Sequence, residues 1–359
     1  MSMDLQSDFQ YLARYLNDFA SQQEFQQQEI RIGPMHFALY VDPHSADFEI
    51  HKSFFTGTDN QSTAHQAPFR LYVMQTTSEQ EQTVLLPFLT QPVPGLQALS
   101  GHAGVRQFVF RDSAHQILKV VDLENRVGLL AYAKPALVPP WELNSPFQEF
   151  IQLHAMERDC LLYHGACLIP PSRPEHGVLI TGPGGSGKSS LTAYALSQGW
   201  KTTGDDHVLL DFRYEVLRSW AVYRNFKLHP NSPAVENLPD VNVWKVDPLT
   251  GKWIILDAAD CEGGNFVECA SVHSVWAISL RSSNTGQVQN SARSPGHLLQ
   301  RNPYVYTSMS TIQQIPYRVD TVLKRIKQLL QRVPLRTHFI DSGVSGMART
   351  LDEMSAHSS

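Results

Sequence analysis

Residues 182–189 read GPGGSGKS, a full match to the spacing G-x-x-x-x-G-K-[ST]. Each position has a physical task. Gly182, Gly184, Gly185 and Gly187 let successive backbone N–H groups turn inward toward phosphate oxygens, with Ser186 inside the same loop. A helix that starts at the loop adds its positive N-terminal end. Lys188 neutralises the β- and γ-phosphates, the Ser189 hydroxyl ligates magnesium, and Ser190 follows in the first turn. These residues are the expected cradle for ATP and Mg2+. Asp205 and Asp206 stand 17 and 18 residues beyond Lys188. A helix of about three turns and a short strand return them to the loop. Neighbours on a strand point in opposite directions, so one aspartate can face the magnesium while the other faces an attacking group or a structural partner. A single aspartate is enough to hold the metal. Upstream, His164 ends the run LLYHGA. If that strand lies beside the loop's strand, the imidazole sits near the γ-phosphate, where it can orient a group or move a proton. The ordinary alternatives are a solvated Gly-Asp-Asp turn and a core histidine bonded to backbone.

The elements around these residues follow from periodicity. HGVLIT reads as a strand leading into the loop and SSLTAYAL as the helix leaving it. LLYHGACLI, KTTGDDHVLLD, KWIILDA and SVHSVWAISL are further strand-like runs, each taken as one strand. FQEFIQLHAMERDC, YRVDTVLKRIKQLLQRV and MARTLDEMSA carry helical patterns. A proline-rich stretch, PALVPPWELNSP, marks a boundary near residue 140, with Asn144 or Ser145 as cap of the next helix and Pro146 in its first turn. Before that boundary, Leu5, Phe9, Leu12, Tyr15, Leu16 and Phe19 fall on one helical stripe. QQEFQQQE follows as a solvated linker, and residues 30–134 alternate strand-like runs with turns. The expected organisation is a mainly antiparallel α+β domain over 1–140, suited to substrate or partner recognition. An α/β catalytic domain follows over 141–359.

Composition narrows the class. Hydrophobic residues make up 42% and charged residues 18%, enough to build packed cores. The net charge of −5 and the scattered basic residues give no footprint for nucleic acid or an anionic membrane surface. Cys160, Cys167, Cys261 and Cys269 lack metal-knuckle spacing, and the first two flank an apolar strand, which predicts buried thiols. No apolar run is long enough for an export signal or a membrane span, so the expected compartment is the cytoplasm.

His164-Gly165, HGVLITG, the glycine loop and GDDHVLLD together resemble the HPr serine kinase/phosphorylase family and its wider relatives. That resemblance is specific over about residues 150–211 and covers the rest of the α/β domain in outline. It implies a nucleotide fold similar to phosphoenolpyruvate carboxykinase and transfer of the γ-phosphate to a serine-type hydroxyl. It also implies that His164 lies at the catalytic centre, that Asp206 is the base toward the acceptor and that Asp205 helps hold magnesium. The sequence departs from the family in three places, one of them the N-terminal region as a whole. Ser190 stands where a Glu follows the loop serine, and the Arg-Gly segment that holds the carrier protein has no counterpart. HPr as substrate and the reverse phosphorylase reaction therefore do not follow.

A transferase gains from a cation near the γ-phosphate. Arg224 and Lys227 in YRNFK and Arg281 in ISLRSSNTG are the candidates, with Arg224 preferred for its closeness to the aspartate strand. The expected partners are ATP and a hydroxyl-bearing small molecule, peptide or carrier protein, with no nucleic acid and no membrane; a homo-oligomer stays open. Two other classes compete: a carboxykinase-type enzyme, and a non-enzymatic nucleotide-dependent binding module. Retention of His164, Lys188, Ser189, Asp205 and Asp206 together favours chemistry over the latter.

Overall fold

The structure is a computed structural model that describes residues 5–22, 25–42, 54, 67–76, 107–112, 116–134, 138–139, 142, 144–238, 243–247, 250–256, 264–280, 316–341 and 343–357. It is a mixed α/β protein with two compact units. One takes in Met1–Lys52, Thr56–His154 and Thr307–Val319, the other Ser53–Phe55, Ala155–Tyr306 and Asp320–Ser359.

The first unit is a six-stranded sheet between helices. Its elements are α1 (Leu5–Gln22), β1 (Gln26–Ile32), β2 (Met35–Val41), β3 (Phe69–Gln75), β4 (Gln107–Asp112), β5 (Ile117–Asp122), β6 (Val127–Tyr132) and α2 (Gln148–Met156), the last up to His154. Strand order is β1-β2-β3-β6-β5-β4. The expected antiparallel hairpins flank the sheet, but β3 runs parallel to both β2 and β6, so the sheet is mixed. A strand's own alternation does not encode its direction. Parallel neighbours need only a long crossover, and β2 and β3 are far enough apart in sequence to have one. Side-chain alternation sends Tyr72 and Met74 to the face covered by Leu12 and Leu16 of α1, while Leu71 faces Phe150 of α2 across Gly128. With both faces covered, β5 and β6 are buried at every residue, which explains their unbroken apolar runs. The glutamine-rich stretch is not a linker: Gln26, Gln27 and Gln28 begin β1. An edge strand with outward-facing positions tolerates glutamine, and pairing with β2 supplies the order that composition hides.

The second unit holds the glycine loop. Its strands are β7 (Cys160–His164), β8 (Ala166–Ile169), β9 (His176–Thr181), β10 (Lys201–Gly204), β11 (His207–Asp211), β12 (Arg218–Ala221), β13 (Asn225–Leu228), β14 (Val243–Val246), β15 (Trp253–Leu256), β16 (Cys269–Leu280) and β17 (Leu335–Ile340). Its helices are α3 (Lys188–Ser197), α4 (Pro316–Arg332, from Asp320 onward) and α5 (Val344–His357). The large sheet runs β10-β8-β9-β16-β12-β11-β7, with β17 also on β16, and β13-β15-β14 form a small second sheet. On β9, Val178 and Ile180 pack with Leu191 and Leu196 of α3 and Leu351 of α5, while Leu179 packs with Ile326 and Leu329 of α4. The loop therefore leaves a strand clamped on both sides.

LLYHGACLI and KTTGDDHVLLD are each two strands rather than one. β7 and β10 lie at opposite ends of the sheet path, yet only Gly165 separates β7 from β8, and only Asp205 and Asp206 separate β10 from β11. One or two residues span only a few ångströms, so the sheet curls until its ends meet. The two crossings are pinned together, the Gly165 N–H donating to the Asp206 carbonyl at 3.0 Å. A side chain at 165 would stand 2.6 Å from the Ile180 carbonyl oxygen, which explains the glycine after His164. Among the described residues, no helix is long and apolar enough to cross a membrane.

Candidate active site

The loop joins β9 to α3 as the sequence predicts. Gly185 and Gly187 have φ of 76° and 91°, a region that glycine enters without strain. Gly187 is the N-cap of α3 and no side chain caps that helix, which leaves its first N–H groups to face whatever the loop holds. Gly184 and Gly185 are exposed, whereas Ser186 is buried. Lys188 is buried and its ammonium donates to the Gly182 carbonyl at 2.8 Å, folding over the loop that it belongs to. Ser190 is turned to Ser232, with 2.9 Å between their hydroxyls.

Asp205 sits at the crossing between β10 and β11, 1% exposed, and neither carboxylate oxygen has a hydrogen-bond partner. Burial, then the charge of Asp206, pushes its pKa up, against the opposing pull of Ser189, Thr192 and Lys188. The Ser189 and Thr192 hydroxyls approach Asp205 without reaching bonding geometry: the carboxylate oxygens and the Thr192 hydroxyl are all unbonded. An unpartnered buried carboxylate is costly, and a cation offsets that cost. Carboxylate and hydroxyl are the hard oxygen donors that magnesium takes, so Asp205 and Ser189 fit the ion expected of them. Thr192 escaped the sequence reading, although it lies three residues after Ser189, on the same helical face.

Asp206 faces the other way and is 23% exposed at its side chain. Lys227 on β13 is 3.2 Å from its Oδ2, and His164 Nδ1 is 3.3 Å from its Oδ1. Burial raises the Asp206 pKa, but opposing influences led by the Lys227 ammonium outweigh it and hold the carboxyl well below the usual carboxylate range. His164 reaches Asp206 through β7–β11 pairing, which sets His164 opposite His207. The strand that carries it does not neighbour the loop's strand, whose partners are β8 and β16. The curl of the sheet brings the imidazole within the field of Lys188 instead. Desolvation lowers the His164 pKa to about 3 despite Asp206, so the ring is neutral at neutral pH.

Lys227, rather than Arg224, is the cation paired with Asp206. Arg224 is half-buried just before β13, and Arg281 lies outside the described residues. His207 is the residue that the sequence reading passed over: 4% exposed, its ring 5.2 Å from that of His164. GDDH displayed it, but only the ladder register shows what it meets. Cys160 and Cys167 are buried, free thiols with pKa pushed up by burial.

No family model and no curated protein matches the chain. Among solved structures, the HPr(Ser) kinase/phosphatase from Coxiella burnetii is similar over 36% of this chain and 71% of its own, at 18% identity and a TM-score of 0.23.

Proposed function

We propose that the chain is an ATP-dependent phosphotransferase that moves the γ-phosphoryl group to a hydroxyl of a small molecule, peptide or carrier protein. The observation that carries this reading is the meeting of two kinds of group at one place. A glycine loop ends in Lys188, and within its field stand a buried Asp205 without a hydrogen-bond partner and a neutral His164, the latter beside an ionised Asp206 held by Lys227. Nucleotide binding alone has use for the first set. A carboxylate and an imidazole aimed away from the metal side suit transfer to an acceptor.

Each residue then has a task. The backbone N–H groups of 184–189 and Lys188 bind the phosphates. Asp205 and Ser189 would hold Mg2+, which supplies charge neutralisation on the β- and γ-phosphates when bound. Asp206 accepts the proton of the acceptor hydroxyl. Its low basicity in this structure comes from Lys227, and a cation drawn toward an arriving phosphate relaxes its hold on the carboxylate, so basicity rises as substrate binds. His164, neutral, orients the carboxylate through Nδ1. Lys227, beside Asp206, takes the role of cation toward the transferring group that the sequence alone assigns to Arg224.

The test is direct. γ-Labelled ATP is incubated with the full chain and panels of hydroxyl metabolites and serine peptides, beside a Lys188→Ala variant. Label moving to an acceptor with wild type alone supports the reading. Tight ATP binding with label in neither acceptor nor free phosphate would favour a nucleotide-dependent binding module.

A further inference from the structure

Asp206 lies between two imidazoles. His164 Nδ1 is 3.3 Å from Oδ1 and His207 Nδ1 is 3.5 Å from Oδ2, and one ligand atom from each of the three residues lies within 4.8 Å of the others. The Nδ1 contact of His207 with Asp206 is at the outer limit of hydrogen bonding, and its Nε2 is buried with no hydrogen-bond partner. A buried imidazole held at one nitrogen by a loose contact to a carboxylate can trade that contact for a shared ion. The separations also have a metric meaning. Donors at tetrahedral positions around an ion with bonds of about 2.1 Å stand roughly 3.4 Å apart; the two contacts fall on different Asp206 oxygens, so one oxygen must turn toward both rings, within the 4.8 Å that already encloses the three ligand atoms.

We propose that His164, Asp206 and His207 bind a borderline divalent metal ion of the Zn2+ class, at a site separate in its donors from the oxygen pair Ser189 and Asp205. Two imidazoles with one carboxylate select zinc-like ions, whereas hydroxyl and carboxylate oxygens select magnesium. Three protein ligands leave a fourth position for water. Lys227 opposes the ion, because its ammonium is 3.2 Å from Asp206 Oδ2 and competes for the same carboxylate. The site is therefore tuned to moderate affinity. An ion bound there occupies the lone pairs with which Asp206 takes up the acceptor proton, and so inhibits transfer. That consequence rests on the proposed function; the binding itself does not.

The full chain, freed of metal, is titrated with Zn2+ against a chromophoric chelator and, separately, with Co2+ while visible absorption is recorded. The expected result is one Zn2+ per chain and the intense visible bands of four-coordinate Co2+. His207→Ala and His164→Ala should each weaken Zn2+ binding by at least about tenfold. Lys227→Met should strengthen it severalfold, a gain that misfolding cannot produce. If His207→Ala does not fold, His164→Ala, whose ring is partly exposed, decides with Lys227→Met. Absence of stoichiometric Zn2+ binding, a six-coordinate Co2+ spectrum, or His164→Ala binding as tightly as wild type would overturn the proposal. A chain that binds Zn2+ but transfers no phosphate would keep this site and sink the kinase reading; the reverse outcome would do the opposite.

Discussion

Lys227 and His164 act on one carboxylate from different sides, and their effects on Asp206 differ in kind. The lysine supplies charge and holds the carboxyl ionised; the histidine, neutral by desolvation, supplies direction. A charge aimed at a transferring phosphoryl group contributes mainly in the transition state. Lys227→Met should therefore lower the transfer rate by about 10²–10³ while ATP affinity changes much less. Lys227→Arg should restore part of the rate. Steady-state kinetics on both variants, beside nucleotide titrations, check this. A Lys227→Met protein with the wild-type rate would remove the lysine from the site. Asp206 and Lys188 could be picked out in the sequence as candidates by residue type and spacing to the loop, while the base role proposed for Asp206 is what the family resemblance implies. Lys227 stood there too, but its rank over Arg224 depends on which one the β13 strand sets against Asp206, a tertiary fact.

At the level of elements, the site depends on two tight crossings in a curled sheet. Gly165 permits the first by letting the backbone pass beneath the Ile180 carbonyl. Gly165→Ala forces that contact apart and should destabilise the second unit by about 1–3 kcal/mol, with loss of activity exceeding the loss of fold because His164 shifts with it. Urea unfolding and rate measurements on the same protein test both halves; unchanged stability would mean that the crossing has slack. In the first unit, Lys119 pairs with both Glu142 and Glu149. One cation cannot balance two carboxylates. Glu149 lies in the first turn of α2, where the helix end favours its charge. The more buried Glu142 therefore keeps a proton, its pKa raised by burial, against the attraction of Lys119, to about 7. A raised folded-state pKa contributes stability that is fully present below the unfolded value, near 4.5, and is lost as pH rises through about 7. Lys119, whose burial pulls its pKa down but whose two carboxylate partners shift it upward on balance, stays charged throughout this window. The first unit's stability should fall between pH 4.5 and 7, and Glu142→Gln should flatten that slope; denaturant melts across the range will show it. The loop strand, its helix and α4 were legible because each carries a local pattern. The breaks at Gly165 and Asp205 were not, because a strand that changes neighbours keeps its alternation. The pairing of β7 with β11, which delivers His164 to Asp206, joins segments far apart in the chain, and nothing local encodes it.

Across the whole molecule, the second unit joins a clamped core to a buried carboxylate without a hydrogen-bond partner. The core holds the loop in place before any ligand arrives. The Asp205 oxygens are the local cost of that arrangement, and a bound cation relieves it. ATP with Mg2+ should therefore raise the melting temperature of the second unit more than ATP with a chelator does. The linkage is worth about 2.7 kcal/mol at a hundredfold excess over Kd. Lys188→Ala should lose most of the rise, and Asp205→Asn should lose its dependence on Mg2+.

The most direct test of the central claim separates binding from transfer at Asp206. Nucleotide affinity and the single-turnover rate of transfer to the acceptor are measured on one preparation each of wild type and Asp206→Asn. The substitution keeps size and removes the proton acceptor, so affinity for ATP with Mg2+ should stay within a few-fold while the rate falls by about two to four orders of magnitude. An Asp206→Asn protein that transfers phosphate at the wild-type rate would contradict the account.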